Sequence, residues 1–251
     1  MGVSYIGLIL MQLAVFPGLA SFLMKSFTEI DAQMASVERV VEYTQLIPEN
    51  DDGSDLVPEL WPVQTNIEFQ SVSMRYSESD PYVLHRISFK VESGQKIGIV
   101  GRTGAGKSSL IVALFRLFPF EGNIVIDGVD TKTIPLNSLR SKISIIPQDP
   151  VLFPGTLRKN LDPFDEYADA EIWNALDEVK LKQTVSTLMS GLEHPVLEGG
   201  SNFSVGQKQL LCLVRTMLRK NKIIVLDEAT ANIDLTTDEI IQSTIKTKFK
   251  D

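Results

Sequence analysis

The sequence predicts an α/β domain built around a phosphate-gripping loop, preceded by one membrane-spanning helix. Three observations carry this. Residues 2–24 hold no charge; the octapeptide GRTGAGKS at 101–108 stands between an apolar strand pattern and a helical one; and the apolar run IIVL at 223–226 ends in two adjacent acids. The chain has 251 residues, enough for one medium domain and an appendage. Its 43% apolar and 22% charged content is ordinary for a packed core. A net charge of -8 argues against bulk attraction to nucleic acid. The single cysteine, Cys212, excludes an intramolecular disulfide and sits in the apolar run 210–214. It reads as a buried structural thiol, because a reactive one needs an electropositive, partly exposed setting.

Taken in order, the uncharged run from Gly2 to Met24 comes first, and Lys25 is the first charged residue. As a helix it spans roughly 34 Å, enough to cross a bilayer. Pro17-Gly18 is expected to kink it. A secretory signal is the competing reading, but no Lys or Arg precedes the run and it exceeds a usual signal core. Next, Phe27, Ile30, Met34, Val37 and Val41 fall at spacings of 3 and 4, one stripe of an amphipathic helix that continues out of the membrane and packs on a neighbour. Residues 48–64, PENDDGSDLVPELWPVQ, hold three prolines and five acids and read as a linker. The expected division is therefore 1–47 for the membrane helix and its extension, 48–64 for the linker, and 65–251 for the α/β domain.

Within that domain strands are expected at 67–76, 83–91, 96–100, 123–127 and 143–146. Residues 168–220 read mostly helical, 223–226 as a parallel strand covered on both faces, and 238–249 as a last helix. His85 and His194 read as surface or strand filler.

GRTGAGKS fits G-x-x-x-x-G-K-[ST], with KIGIV before it and SSLIVALFRLF after it. Glycines let the backbone wrap and point N–H groups at phosphate oxygens. Lys107 can reach the outer phosphates, the Ser108 hydroxyl can ligate Mg²⁺, and the new helix offers its positive end to the anion. In IIVLDE, Asp227 falls near the metal's outer coordination sphere, and Glu228 projects past the strand end to accept a proton from, or orient, an attacking water. Gln148, after the 143–146 strand, offers a neutral amide that can sense metal or water.

The stretch SNFSVGQKQ at 201–209 contains Ser204 three residues ahead of Gln207, a capping-box pattern. Leu210, Leu213, Val214, Met217 and Leu218 then form one apolar face. A plain helix cap explains Ser204 and Gln207. Gly206 asks for more, since glycine in the first turn costs about 1 kcal/mol relative to alanine. A glycine there permits close approach by another molecule, and a helix N-terminus with a Ser hydroxyl suits a terminal phosphate, one held by a different domain.

In this order, GRTGAGKS, Gln148, FSVGQ and VLDE resemble the nucleotide-binding domain of ABC transporters. FSVGQ and KNLDPF at 159–164 look like the second such domain of subfamily C, the multidrug-resistance-associated exporters, and SVERVVEY at 36–43 is similar to the segment that joins their last membrane helix to it. The resemblance implies a P-loop NTPase fold of ABC type: a mixed sheet core, an antiparallel β subdomain and a helical subdomain. It implies ATP and Mg²⁺ as ligands. Tyr76 would stack on adenine, and Gly101, Thr103, Gly104, Ala105, Gly106, Lys107, Ser108 and Ser109 would surround the phosphates. Mg²⁺ would be held by Ser108, Gln148 and Asp227, and catalysis would fall to Glu228, Lys107 and Gln148. Ala231 to Asp234 would form a loop across a head-to-tail dimer, and Ser204, Gly206 and Gln207 would contact ATP held by that second domain. Further membrane helices complete the implied assembly, an integral membrane exporter of amphipathic organic anions with this domain in the cytoplasm and no nucleic-acid partner.

The sequence departs from the pattern twice. Val205 stands where the family carries a glycine. The switch histidine is expected roughly thirty residues after Glu228, whereas the sequence given ends at Asp251. The expectation is a piece comprising the last membrane helix and a C-terminally truncated domain. A module that binds ATP without efficient hydrolysis is the alternative. A soluble DNA-repair ATPase of similar fold is disfavoured by the net charge and by residues 2–24.

Overall fold

In a computed structural model of the chain, residues 2–46, 48–49, 53, 58, 60–228 and 233–248 are described. The chain divides into two compact units, Met1–Asn50 and Asp51–Asp251.

The first unit is a single helix, α1 (Gly2–Thr44), which runs on through Pro17. It is long and apolar enough to cross a membrane. Its large side chains, from Tyr5 and Ile6 to Phe22 and Leu23, are exposed. In water such a surface is unfavourable by about 25 cal/mol for each Å², so the helix calls for an apolar medium or other helices. The stripe Phe27, Ile30, Met34, Val37 and Val41 forms on α1 as the spacing predicts, but every member is exposed. The neighbour expected for it is not found among the described residues of this unit.

The second unit has two hydrophobic cores. The first lies under an antiparallel sheet of order β2-β1-β3-β4, made of β1 (Ile67–Met74), β2 (Leu84–Val91), β3 (Phe120–Ile126) and β4 (Val129–Asp130). A bulge between Phe69 and Val72, with Ser71 at φ +51°, resets the alternation of β1, so that Phe69, Val72 and Met74 all turn inward with Ile124 and Ile126 of β3. There they meet Ala113, Leu114 and Phe115 at the end of α2 (Lys107–Leu114) and Leu139 of α3 (Leu136–Ser141). Of the three strands predicted here, β1 and β2 are two residues and one residue shorter than expected, since the β1–β2 ladder closes at Met74 opposite Leu84. β3 begins three residues before the expected 123–127, where Phe120 pairs with Met74. α2 is also shorter than its apolar run, because Arg116 turns left-handed at φ +50° and ends it.

A parallel pair joins the two cores: β5 (Ile143–Ile146) lies in register with β8 (Ile223–Leu226), Ile143 opposite Ile223 and Ile146 opposite Leu226. Both strands have the predicted bounds. Coverage of β8 is less complete than its apolar run implies, with Ile223 buried and Leu226 exposed.

The expected strand at 96–100 is not formed. No ladder hydrogen bond holds KIGIV, Ile97 and Ile99 are exposed, and Val100 is 97% exposed. The physical reason is the absence of a partner: among the described residues β8 pairs only with β5. A parallel strand gains its stability from ladder bonds and from burial on both faces. Gly98 in its centre weakens it further.

The second core is helical. It contains α4 (Leu157–Leu161), α5 (Asp169–Glu178), α6 (Lys182–Thr187), α7 (Val205–Arg219) and α8 (Leu235–Lys248), with a small β6 (Gly155–Thr156) and β7 (Pro195–Val196) pair that the sequence did not announce. The apolar face predicted for α7 is the middle of this core, where Leu210, Leu213, Val214 and Leu218 are buried and Met217 packs against them. Cys212 is buried there as well, and burial pushes its thiol up from the ordinary range, which suits a structural role. α8 begins three residues earlier than expected because Asp234 caps it. The carboxylate accepts from the Thr237 N–H at 3.0 Å, from the Thr237 hydroxyl at 2.8 Å and from the Thr236 hydroxyl. Of the predicted histidines, His85 lies exposed on β2 beside Tyr82, and His194 is half-buried against Phe203.

Candidate functional site

The loop 101–106 is shaped by its glycines. Gly104 and Gly106 take φ +82° and +89°, a region that costs other residues roughly 1 kcal/mol or more. Gly106 is also close-packed: a Cβ there would meet the Val83 carbonyl oxygen at 3.2 Å and Leu84 Cδ2 at 3.2 Å. The Ala105 N–H closes the turn on the Arg102 carbonyl at 3.1 Å. Gly106 is the N-cap of α2 and supplies no side-chain cap, which leaves the first-turn N–H groups to a ligand. Thr103 lies at the exposed tip.

The first three residues of α2 reach three different partners. Lys107 Nζ donates to the Gly101 carbonyl at 3.0 Å and pairs with Glu228 Oε1 at 2.9 Å. Ser108 Oγ donates to Asp227 Oδ1 at 3.2 Å. Ser109 is buried, with its Oγ 2.9 Å from the Tyr76 hydroxyl. Tyr76, the phosphate loop, Asp227 and Glu228 therefore form one site, although they come from positions up to 152 residues apart in the sequence.

The acids are placed by β8. The Asp227 N–H donates to the Ile146 carbonyl at 3.0 Å, continuing the β5–β8 ladder by one bond. Glu228 follows in a left-handed backbone, φ +45°, which swings its side chain to Lys107. Such a conformation is uncommon outside glycine and clusters at functional sites. Gln148 leaves the same end of the parallel pair two residues past β5 and is exposed. The crevice beyond the carboxyl ends of parallel strands is where open α/β sheets bind ligands.

Ser204, Gly206 and Gln207 stand apart. Among the described residues their hydrogen bonds run within their own cap, not to 101–109. The capping box is complete: Ser204 Oγ accepts from the Gln207 N–H at 3.2 Å, and Gln207 Oε1 accepts from the Ser204 N–H at 2.9 Å. Gly206 has an intrachain reason that the sequence did not show. A Cβ on it would meet Thr237 Oγ1 at 3.1 Å and Asp234 Oδ1 at 3.3 Å, so the cap of α8 is what approaches it. Hydrogen bonds from Thr236 and then Thr237 hold Asp234 down to about 2. Ala231 and Asn232, expected in the same loop, lie outside the described residues.

Sequence reasoning also missed the ties between the Gln148 loop and α7. Buried Gln209 donates from Nε2 to the Pro147 carbonyl at 3.0 Å. Arg215 donates to the Val151 carbonyl at 2.8 Å and to Asn160 Oδ1 at 2.9 Å. A polar residue inside the apolar stripe of α7 was the available signal.

Residues 84–231 match the family described as ABC transporter. The chain belongs to the ABC transporter family. Its relatives agree in kind. A probable multidrug resistance-associated protein, lethal(2)03659, of Drosophila melanogaster is 49% identical over 98% of this chain. The ATP-binding cassette sub-family C member 4 of Homo sapiens is 51% identical over 97%, and the human sub-family C member 2 is 50% identical over 91%. This ABC transporter chain spans only 15–18% of the length of those curated relatives. Membership makes the matched domain an ATP-binding domain of transporter type.

Proposed function

We propose that this chain is the last membrane helix and second nucleotide-binding domain of a subfamily C exporter, and that it binds and hydrolyses ATP to drive amphipathic organic anions across a membrane. The observation that supports it best is the convergence of Lys107, Ser108, Asp227 and Glu228 at one strand end. Likeness to sub-family C relatives, one of them named multidrug resistance-associated, supports the transport role. In this reading α1 spans the membrane, 48–64 is the linker, and 65–251 lies in the cytoplasm.

Each residue then has a task. The backbone N–H groups of 101–109 cradle the phosphates, Lys107 neutralises the outer ones, and Tyr76 stacks on the adenine. Glu228 takes a proton from water as its oxygen attacks the terminal phosphorus; that P–O bond forms while the bond to the leaving ADP oxygen breaks. Gln148 orients that water from the neighbouring strand end. The residues present fit Mg²⁺: a hydroxyl, Ser108 Oγ, stands 3.2 Å from a carboxylate oxygen of Asp227, oxygen donors of the kind the ion prefers. No cluster of three or more acidic, His or Cys side chains occurs among the described residues, so phosphate oxygens would complete its shell. The ion supplies charge neutralisation on the phosphates when bound. Ser204, Gly206 and Gln207 meet a nucleotide gripped by a second nucleotide-binding domain packed head to tail.

One feature favours the reading without efficient hydrolysis: Val205, half-exposed at the first position of α7, adds bulk where the family has glycine. Turnover by the chain above a Lys107→Ala control would argue against that second reading, and Glu228→Gln in the complete protein tests the base itself. The proposal expects retained ATP binding and lost turnover; turnover equal to wild type would remove Glu228 from the chemistry.

A further inference from the structure

Tyr76 follows β1 and Phe118 precedes β3, and the sheet brings them together. Met74 stands opposite Phe120 in the antiparallel β1–β3 ladder. Carried two residues past the ladder, that register sets Tyr76 against Phe118. The rings meet edge to face, with centroids 5.0 Å apart and planes at 83°, a favoured aromatic geometry. Both rings stay open on the surface, Tyr76 at 43% exposure and Phe118 at 39%. They are not part of the buried core, so the contact is not explained by core packing.

The orientation of the Tyr76 ring needs this neighbour. Its hydroxyl is tied to Ser109 Oγ at 2.9 Å. The Tyr76 hydroxyl oxygen lies on the long axis of the ring, the axis about which χ2 turns. A hydrogen bond at the tip therefore fixes where the ring ends but not which way its faces point, and χ2 of an aromatic side chain is a soft, roughly two-fold torsion. A ring beside it is what sets the face. Phe118 can do this because its own turn is pinned. Arg140 donates to the carbonyls of Phe115 and Arg116 at 3.0 Å each. The Leu117 N–H donates to the Val112 carbonyl at 3.0 Å, and Pro119 restricts the following backbone.

We infer that Phe118 is a positioning residue for recognition of the nucleotide base: its ring holds Tyr76 in the plane that stacks on a purine. The inference rests on the reading of Tyr76 as the base platform and adds the residue that orients it.

The test compares Kd for Mg·ATP with Kd for Mg·tripolyphosphate, which has no base, by calorimetry on the full chain in detergent. The variants are Tyr76→Ala, Phe118→Ala, Phe118→Leu and Phe118→Tyr. Leu preserves apolar bulk without a ring, so it serves if the Ala variant fails to fold. The expected result for Phe118→Leu is a loss of about 2- to 10-fold in preference for ATP over tripolyphosphate, with tripolyphosphate binding unchanged. Phe118→Tyr restores the wild-type preference. Tyr76→Ala loses about 5-fold or more. A Phe118→Leu protein that keeps its preference while Tyr76→Ala loses it overturns the inference alone. Equal weakening of both ligands by Phe118→Leu assigns Phe118 a purely structural role and also overturns it. A Tyr76→Ala protein with undiminished preference removes the base platform, and Phe118's role with it.

Discussion

Shortening Glu228 by one methylene should make nucleotide bind more tightly. In the proposed function Lys107 is the cation that meets the phosphates, and in this structure it is engaged by Glu228 Oε1 at 2.9 Å. A phosphate that recruits Lys107 must compete with that carboxylate. At 2.9 Å the Coulomb energy at the dielectric constant of water is about 1.4 kcal/mol. The side chains are 25% and 44% exposed, so solvent screening and the ordering of two side chains reduce the net value to about 0.5–1 kcal/mol. That corresponds to about 2- to 5-fold in Kd. Calorimetric titration with Mg·ADP, which carries no terminal phosphate to lose, reads it without interference from turnover. Glu228→Gln should tighten binding by this factor and Glu228→Asp by less, because Asp falls short of Lys107 but keeps a charge that still attracts it. If Gln tightens binding and Asp does not, removal of a negative charge is the whole effect. If neither does, Lys107 is not restrained by Glu228.

Two further perturbations test the frame around the site. Asp127 accepts from the N–H groups of Val63 at 2.6 Å, Gln64 at 2.8 Å and Asn66 at 2.8 Å. Burial raises its pKa, but donation from the Thr65, Asn66, Gln64 and Val63 backbone outweighs burial and holds it below the usual carboxylate range. A depressed folded-state pKa contributes stability above about pH 4 that is lost as pH falls through the folded value. Asp127→Asn should thus lower stability by about 1 kcal/mol near neutrality, allowing for solvent exposure, and flatten the acid limb of the pH–Tm curve; an unchanged acid limb counts against the assignment. Gln209 is 1% exposed, donates to Pro147 at 3.0 Å and has a buried Oε1 with no partner among the described residues. Gln209→Leu should cost about 1 kcal/mol or less, since it loses one bond and removes an unsatisfied oxygen. Gln209→Glu buries a charge and should cost about 3 kcal/mol or more; equal thermal shifts for the two would refute this environment.

Local chemistry was what the sequence displayed well. The phosphate loop, the Ser204–Gln207 cap, the α7 face and the bounds of β5 and β8 are set within a few residues of chain, by φ requirements, capping geometry and apolar period. Pairing was not legible. KIGIV reads as a strand by composition, yet a strand exists only where an edge accepts it, and its residues stand exposed. The sequence reads Gly206 as an opening for another molecule; the approach of Asp234 and Thr237, a contact between segments about thirty residues apart, adds an intrachain reason that local pattern does not display. Phe118 carried no signal beyond being aromatic, since its role comes from the β1–β3 register. Arg215 and Gln209 were hidden for a similar reason: their partners, the Pro147 and Val151 carbonyls and the Asn160 side chain, lie roughly sixty residues earlier.

The measurement that bears most directly on the account is photolabelling of the full chain in membranes with an azido derivative of ATP, with and without the substitution Lys107→Ala. The account predicts saturable labelling that excess ATP displaces, reduced at least about tenfold by the substitution, as expected when a charged phosphate contact is lost. Labelling of the Lys107→Ala chain at the wild-type level, still displaced by ATP, would contradict it, because the nucleotide would then be held somewhere other than the loop that ends at Ser108.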